Sequence, residues 1–428
     1  MAAAICALVT ISAGFSQEVS EKKEIAVLTL GHQRWVIAPA SLDRIDEQIR
    51  EVFVNLGRFS VIGMGYQLDA EDVGTFIENI KRFKAENVEI PEKVQMGQEF
   101  FTQADLNRLV ASFIVVVPSV VDFRVQRDRA GVWTYAIRTS FSFISVEQLR
   151  AFAQFSIETS RSDRYQGIAL RAAVDAIAPR LNYEVRRIAE FRLRTGILET
   201  RGSDVVVELG RNMGVRAGDE YLIVAPRVLP SGKQITEEKG LLVVRDVRED
   251  SSVASVVYSD PPAAPGDQLE ELPRVGTEST PYIRAVAWQP VTSSFLLPTL
   301  VGIRQTISRG FSSLRPHVGV EVPLHLMLWG VPGVPMNFYV GGEYDLSLGR
   351  LTIAPRASAG IGAYVGVGGS EGFILSHGGG SVSVAITYLF SRDMKWEAEA
   401  GWLGWVGFAD PSYSYGGAFV SGGLTIKF

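Results

Sequence analysis

Charged and imidazole side chains recur at every second position in the last third of the chain, a spacing that puts them on one face of an extended strand. They alternate with apolar residues such as Val318, Val340 and Ile353. Side chains of both signs on one face can form ion pairs, and they can also relay protons or ions. The sequence favours a structural ion-pair network. Its members are Arg315, His317, Glu321, Glu343, Asp345, Arg356, Lys395, Glu397 and Glu399.

Other chemistry has little support in the sequence. His32 stands alone, His377 falls in a glycine-rich stretch that we expect to be a loop, and no histidine cluster suits a metal ion. Phosphate-binding loops, nucleophile elbows and zinc-protease motifs are absent. Asp219 and Asp267 each follow a glycine, which indicates tight turns; a cation site from the two is the alternative. We therefore expect no enzyme, no metal and no cofactor.

The chain begins with an apolar stretch of small residues over 2–15, followed by polar residues. This predicts a signal peptide over 1–16, although no Lys or Arg precedes the apolar run. Cys6, the only cysteine, lies within it. We interpret Cys6 as a residue lost on cleavage, with a lipid-modified cysteine as the alternative. The mature chain would then contain no disulfide bond.

Residues 280–428 predict an eight-stranded antiparallel transmembrane β-barrel. Six segments alternate clearly between apolar and polar residues, and two weaker ones lie near 282–288 and 299–309. Short turns near 310–313, 347–350 and 391–393 alternate with longer connections, of which 366–379 is the longest. This pattern is typical of outer-membrane barrels, whose short turns face the periplasm. A soluble barrel with its apolar face inward is the alternative.

Aromatic residues and the chain end add to this interpretation. We expect the aromatic side chains of the alternating strands to form two girdles at the membrane interfaces. They are Phe338, Tyr344, Tyr388, Phe390, Trp396 and Trp402. The final strand, with Leu424, Ile426 and Phe428 on one face, resembles the C-terminal signal that the outer-membrane assembly machinery reads. The region as a whole resembles small eight-stranded outer-membrane barrel proteins.

Before the barrel, the sequence predicts two further domains and a linker over 273–279. Residues 17–193 read as an α/β domain, with a helix capped by Ser41, a central strand over 113–118 and a long helix over 165–188 that Pro179 kinks. Residues 194–272 read as a small SH3-like β domain. Because both barrel ends lie on the short-turn side, we expect residues 17–279 in the periplasm.

Short motifs in the small β domain carry a family resemblance. The turn over 210–219, the strand over 239–244 and the serine-rich run over 251–255 resemble the C-terminal domain of flagellar assembly protein T. The preceding α/β part resembles the periplasmic domains of that protein and of the curli-secretion lipoprotein family. The resemblance covers roughly residues 24–272, and it implies a scaffold or assembly role in the periplasm.

Net charge and these patterns together set the functional hypotheses. The formal charge of −5 and the lack of a basic run give no support for a nucleic-acid partner. The leading hypothesis is a non-enzymatic outer-membrane protein whose partners are outer-membrane lipid, the assembly machinery and an unidentified periplasmic protein. The alternatives are a surface protein that binds a ligand or host factor through its outer loops, and a narrow channel.

Overall fold

The computed structural model describes residues 19–32, 37–67, 73–85, 93–96, 99–104, 114–287, 299–324, 334–365, 373–408 and 414–428. The predicted signal peptide with Cys6, and residues 366–372 of the longest predicted barrel loop, lie outside these residues.

The strands divide among an N-terminal domain, a small barrel and a large barrel. Strands of the N-terminal domain are β1 (Lys23–Thr29), β2 (Gly31–His32), β3 (Phe59–Gln67), β4 (Lys93–Met96), β5 (Glu99–Thr102), β6 (Ile114–Arg127), β7 (Trp133–Ser145) and β8 (Arg150–Asp163). Strands of the small barrel are β9 (Arg194–Arg201), β10 (Asp204–Val207), β11 (Glu220–Val228), β12 (Gln234–Val247), β13 (Ser252–Ser259) and β14 (Gln268–Leu272). Strands of the large barrel are β15 (Thr277–Ala287), β16 (Thr299–Ile307), β17 (Leu314–Pro323), β18 (Val334–Tyr344), β19 (Leu346–Leu348), β20 (Leu351–Val365), β21 (Phe373–Ser391), β22 (Met394–Gly407) and β23 (Tyr415–Lys427).

The helices belong to the N-terminal domain. They are α1 (Pro39–Asn55), α2 (Val73–Ala85), α3 (Gln166–Asp175) and α4 (Ile177–Arg187). No helix in the described part of the chain has the length and apolarity needed to cross a membrane.

The N-terminal domain is a mixed sheet in the order β3-β1-β6-β7-β8. Strand β6, which contains residues 114–118 of the predicted segment, lies in the middle, and its first seven residues are buried because they are apolar or small on both faces. Strands β3, β1 and β6 run parallel, whereas β6, β7 and β8 are antiparallel. One core joins Val27 and Phe143 of the sheet to Phe53 of α1 and Leu181 of α4.

Three details of this domain differ from the sequence-based expectations. Helix α1 begins at Pro39 after Ala38, so Ser41 lies inside the helix and does not cap it; proline suits a first helical turn, where its missing N–H is not needed. The long helix divides into α3 and α4. Pro179 lies in the first turn of α4, and its ring excludes the carbonyl of Asp175, where α3 ends. Strand β8 was not predicted.

The small barrel closes in the order β10-β13-β12-β11-β14-β9 around a core that includes Ile197, Tyr221 and Leu242. Its Gly-Asp pairs form tight turns. Gly218 has φ +82° and Gly266 has φ +94°, a backbone region that favours glycine. Each following aspartate accepts a hydrogen bond from the N–H three residues earlier in its turn, from Arg216 to Asp219 at 2.8 Å and from Ala264 to Asp267 at 2.9 Å.

The large barrel is closed and antiparallel. Within the described residues eight strands run in the order β15-β16-β17-β18-β20-β21-β22-β23, with β23 paired to β15, and the three-residue β19 extends the pairing along β20. The prediction of an eight-stranded antiparallel barrel is therefore confirmed. Its first strand starts at Thr277, so three residues assigned to the linker belong to the barrel.

The predicted loop over 366–379 is shorter than expected, because β21 begins at Phe373. His377 is consequently a strand residue, and it is fully buried. Gly362 lies opposite it on β20. A Cβ atom at Gly362 would overlap the imidazole ring, so the glycine supplies the space that His377 occupies.

Candidate functional site

The large barrel has its charged face inside and its apolar face outside. Val340, Val382 and Val420 on the outer surface are 62–64% exposed, whereas Arg304, Glu321 and Glu343 are at most 2% exposed. Water-soluble barrels have the opposite arrangement, because burying apolar surface is what stabilises them. The outer surface therefore suits a hydrocarbon environment.

Near the short-turn end of the interior, acidic and basic residues alternate around Arg315. Its guanidinium lies 2.8 Å from Glu343 and 3.3 Å from Glu278, and it also contacts Asp345. Lys395 donates to both oxygens of Glu278 over 2.8 and 2.7 Å. Every one of these charges has an opposite neighbour, which is what a desolvated ion needs.

The middle of the interior is organised around Glu397. Arg304 donates to both of its carboxylate oxygens over 2.7 Å, and Arg356 donates to one of them over 2.8 Å. Arg356 also donates to Glu343 over 2.7 Å. It therefore connects the residues around Glu397 to those around Arg315, nearer the short-turn end. Glu399 lies 3.5–3.6 Å from Arg356 and Arg304. Two arginines thus share Glu397, and Glu399 is shared by three, because Arg284 also lies 3.6 Å from it.

Toward the end of the barrel with the long loops, the interior contains fewer charged side chains and more aromatic ones. Glu321 accepts hydrogen bonds from the Tyr282 hydroxyl at 2.8 Å, Arg284 at 3.1 Å and Asn337 at 3.1 Å. Asn337 is in turn 2.7 Å from Nε2 of His377. Beyond this polar group, a cluster of buried apolar and aromatic side chains fills the barrel. It comprises Val286, Leu300, Leu403, Trp405, Tyr415 and Phe419.

All nine residues proposed from the sequence lie in the interior, but His317 differs from the others. It is buried against Tyr339, with ring centroids 6.1 Å apart, and its Nδ1 has no hydrogen-bond partner. Four members escaped the sequence analysis: Glu278, Arg284, Arg304 and Lys427. The alternating sequence pattern was present for these residues too, because the residues next to each of them in its strand face outward. Glu278, Arg284 and Arg304 lie in or next to the two strands with the weakest patterns.

Positive and negative charges balance inside the described part of the barrel. The cations are Arg284, Arg304, Arg315, Arg356, Lys395 and Lys427. The anions are Glu278, Glu321, Glu343, Asp345, Glu397 and Glu399. Six of each leave no net charge, and each group is held by its neighbours. Within the described residues, packed and paired charges therefore occupy the interior.

A second buried ion cluster joins the three domains. Asp219 of the small barrel accepts hydrogen bonds from Arg186 of α4 at 3.1 Å and from Arg309, in the turn after β16, at 2.7 Å. Glu271 of β14 accepts from Arg186 at 2.7 Å and from Arg58, which precedes β3, at 2.7 Å. Side chains from all three domains thus meet in one desolvated group, which we call the junction cluster: Arg58, Arg186, Asp219, Glu271 and Arg309.

The junction cluster has charges fixed by their mutual contacts. Burial alone would raise the pKa of Glu271, but Arg58, Arg186 and the N–H of Leu193 outweigh it and lower the pKa to about 2. For Arg186, burial acts to lower the pKa, and the carboxylates of Glu271 and Asp219 more than reverse this. Both groups stay ionised at neutral pH.

Backbone contact reinforces the same interface. Gly57, which follows α1, packs directly on Gly214 of the small barrel. Both have positive φ, +72° and +76°. A Cβ atom on Gly214 would overlap the carbonyl oxygen of Leu56. The N-terminal domain and the small barrel therefore approach as closely as two backbones can, and only glycine permits it.

The small barrel also contacts each of the three short turns of the large barrel. Arg245 donates to the carbonyl of Ser312 at 2.9 Å and to the hydroxyl of Ser347 at 2.7 Å. Glu238 accepts from Arg392, in the turn before β22, at 3.1 Å. A cavity of about 60 Å³ remains between the two barrels, lined by both. The small barrel thus covers the short-turn mouth of the large one.

The chain end is bound into this mouth. The N–H of Phe428 donates to Thr277 at 3.0 Å, and the N–H of Gly276 donates to the carbonyl of Phe428 at 3.1 Å. Lys427 forms an ion pair with Glu220 of the small barrel. The side chains proposed as the assembly signal, Leu424, Ile426 and Phe428, lie on the outward face of β23, and Phe428 is 49% exposed.

Asp219 and Asp267, the alternative cation ligands, both have cationic side chains as partners. Asp219 bonds to two arginines, and Asp267 forms an ion pair with Lys239 at 2.9 Å. Over the described ranges no three His, Cys, Asp or Glu side chains are grouped to hold a metal ion.

A scan of family models and a search of curated proteins find no match to this chain. Among solved structures, Neisserial surface protein A is similar with a TM-score of 0.27 and 15% identity, over 36% of this chain and 97% of that one. A hypothetical protein from Chlamydia trachomatis is similar with a TM-score of 0.24 and 12% identity, over 40% and 99% of the two chains. A lipoprotein from Neisseria meningitidis is similar with a TM-score of 0.21 and 10% identity, over 36% and 98%. At these TM-scores the likenesses carry no argument, and the comparisons do not show the resemblance to flagellar assembly protein T.

Proposed function

We propose that this protein is a non-enzymatic outer-membrane protein whose barrel anchors a rigid periplasmic scaffold. The observation that carries the proposal is the orientation of side chains in the large barrel, with apolar side chains outside and balanced ion pairs inside. Lipid is the environment in which such an outer surface is stable. The small barrel and the N-terminal domain, on the short-turn side, would then lie in the periplasm.

Aromatic side chains on the outer surface support this placement. Tyr344, Tyr388 and Trp396 are 48–59% exposed near the short-turn end of the barrel, and Phe390 packs on Trp396 with ring centroids 5.5 Å apart. Phe338 and Trp402 lie further along the strands. Aromatic rings with one apolar and one polar side are favoured at membrane interfaces. Outer-membrane lipid is accordingly the barrel's expected partner.

The last strand supports delivery by the outer-membrane assembly machinery. Leu424, Ile426 and Phe428 share the outward face, so the machinery could bind them before β23 pairs with β15. In the folded barrel the backbone of β23 is hydrogen-bonded to both neighbours. Recognition would therefore precede closure.

A scaffold role follows from how the domains are joined. The junction cluster and the glycine contact fix the N-terminal domain to both barrels, so a partner bound there would be held at a set position relative to the membrane. The filled interior supports anchoring over conduction. A planar-bilayer recording on the purified protein is expected to show no discrete conductance steps; regular steps would favour a channel.

The membrane placement is tested by an arginine on the outer face. Val382 is 62% exposed near the middle of β21, and Val382→Arg should destabilise the inserted barrel by about 2–4 kcal/mol if this position faces the bilayer midplane. Val228 is 67% exposed on the small barrel, and Val228→Arg should change little. Cell fractionation and gels of unboiled samples measure insertion and folding. Equal, mild effects of the two changes, or recovery of the wild type as a soluble protein, would overturn the proposal.

A further inference from the structure

An exposed group of apolar, aromatic and arginine side chains lies at one end of the N-terminal domain. This end is the farthest from the junction cluster along the strands. We call this group the distal patch: Val125, Arg127, Trp133, Arg161, Tyr165 and Ile168. Strand β6 reaches it thirteen residues beyond Ile114, where it pairs with β1, or about 40 Å at 3.3 Å per residue. The patch therefore lies well away from both barrels.

Strand register makes the patch continuous. Arg127 pairs with Trp133, and Trp133 pairs with Asp163 on β8. Val125 pairs with Tyr135, which pairs with Arg161. Directly opposite residues lie on the same face of a sheet, so these side chains share the face on which α3 packs. Tyr165 and Ile168 lie at the start of α3, where Gln166 donates to the Tyr135 hydroxyl at 2.7 Å on this face.

The apolar members of the patch are exposed to solvent. Tyr165 is 70% exposed, Ile168 is 52% exposed and Val125 is 41% exposed. The guanidinium of Arg127 lies 5.2 Å from the centre of the Trp133 ring, which holds both planar groups at the surface. Tyrosine, tryptophan and arginine are the residues that contribute most to protein–protein binding. The composition of the patch is that of a protein interface.

The charges of this region are unbalanced. Arg127, Arg129, Arg161 and Arg164 are exposed, and none of them forms an ion pair within the described residues. The two neighbouring acidic residues are occupied by backbone groups: Asp128 accepts from the N–H of Val132, and Asp163 from that of Tyr165, both at 2.8 Å. By contrast Arg138, nearer the middle of β7, is paired with Glu158 at 2.7 Å. Arg161 donates to the carbonyl of Ser160 at 2.8 Å, but a guanidinium has five N–H groups, so all four arginines keep donors for a ligand.

We propose that the distal patch binds a carboxylate-rich segment of another periplasmic protein. The inference rests on the proposed function, because it names the surface and the partner chemistry of that scaffold. Arginine can bind a carboxylate through two parallel hydrogen bonds, while Tyr165 and Ile168 supply the apolar centre that a stable contact needs. Exposed charges of one sign also steer an acidic partner toward the surface.

The test places a photo-crosslinking residue at Tyr165 of the full chain in cells, with the same residue at Val228 as the control position. We expect an adduct from position 165 only, and its cross-linked peptide should carry an excess of Asp and Glu. Arg127→Glu with Arg161→Glu should lower the adduct yield by about tenfold. Lys22→Glu with Lys233→Glu makes the same change in net charge elsewhere and should leave the yield unchanged.

Any of four results would overturn the proposal: no adduct specific to position 165, a cross-linked peptide without acidic excess, a yield that charge reversal leaves unchanged, or cross-linking to the cell wall polymer instead of a protein. All variants are checked for outer-membrane recovery and for the shifted band in unboiled samples. A normal barrel with no adduct contradicts only this inference, whereas loss of the wild-type barrel from the outer membrane contradicts the proposed function itself.

Discussion

The guanidinium of Arg309, in a turn of the large barrel, donates to the carboxylate of Asp219, in the small barrel, over 2.7 Å. The same oxygen accepts from Arg186 of the N-terminal domain at 3.1 Å. Both arginine partners of Asp219 come from other domains, and its side chain is only 3% exposed. A single carboxylate thus bridges all three domains, and the contact cannot be lost without leaving two buried cations short of an anion.

Replacing Asp219 should loosen the junction. Asp219→Asn removes the charge that Arg186 and Arg309 share, and breaking a buried pair in this way costs about 3–5 kcal/mol. Asp267→Asn is the matched control, since Asp267 occupies an equivalent Gly-Asp turn but pairs with the more accessible Lys239; its effect should be below about 1 kcal/mol. Urea unfolding of the full chain in detergent measures both. Equal effects would show that only the turn geometry matters.

Adding one methyl group at Gly214 should disturb the interface. Gly214→Ala and Gly232→Ala share the strain of a positive φ, about 1–2 kcal/mol, because their φ angles are +76° and +79°. Only at Gly214 would the new Cβ meet backbone atoms of the N-terminal domain; at Gly232 nothing lies within 4 Å. We expect protease to cut the segment 188–193, which connects α4 of the N-terminal domain to β9 of the small barrel, faster in Gly214→Ala alone. Equal cutting of the two variants would contradict the close contact.

Neutralising Glu397 should weaken the large barrel. Glu397→Gln removes the anion to which Arg304 and Arg356 both donate and leaves Glu399, 3.5–3.6 Å away, as the anion they share. The expected loss is about 3–5 kcal/mol in the free energy of unfolding. The exposed Glu237, which pairs with Arg227 at 2.9 Å, provides the control Glu237→Gln, with an effect of about 0–1 kcal/mol. The temperature at which the folded band disappears from gels reports the difference. An unchanged temperature would mean that the interior charges are not mutually stabilising.

Acid should weaken the junction through Glu271. Its pKa is lowered to about 2 in the folded protein from the ordinary value of 4.5, so its contribution is complete above pH 4.5 and is lost as the pH falls through 2. Lowering the pH from 7 to 3 should therefore remove about 2 kcal/mol of stability through this group. Glu271→Gln should be less stable at pH 7 and should lose less on acidification. Urea titrations at both pH values measure this, and parallel losses in the two proteins would refute it.

The eight strands of the large barrel could be predicted because their signal is local. Strand β20 spans Leu351–Val365, the range that its alternating pattern indicates. His377 was misplaced because Gly378, Gly379 and Gly380 follow it and glycine usually marks a loop; here it accommodates crowded neighbouring strands. Strand β8 was missed because its apolar face ends halfway: Phe155 and Ile157 are followed at alternate positions by Thr159, Arg161 and Asp163.

The junction cluster could not be predicted, for a different reason. Arg58 and Glu271 are 213 residues apart, and no spacing in the sequence brings them together. The turn around Asp219 could be recognised from Gly218, but its arginine partners lie on elements from two other domains. Ion pairs inside the large barrel are easier to anticipate, because a small closed barrel forces its inward side chains into contact.

The hydrogen bond from Gly276 to Phe428 has a mechanical consequence. It connects the short linker to the seam where the last strand meets the first, beside the ion pair of Lys427 with Glu220. A force applied to the N-terminal domain would pass through the junction cluster to the barrels. It would be shared among the three short turns and the first and last strands of the large barrel, which form the seam. The load would therefore spread around the rim of the barrel, and no single strand would be peeled away first.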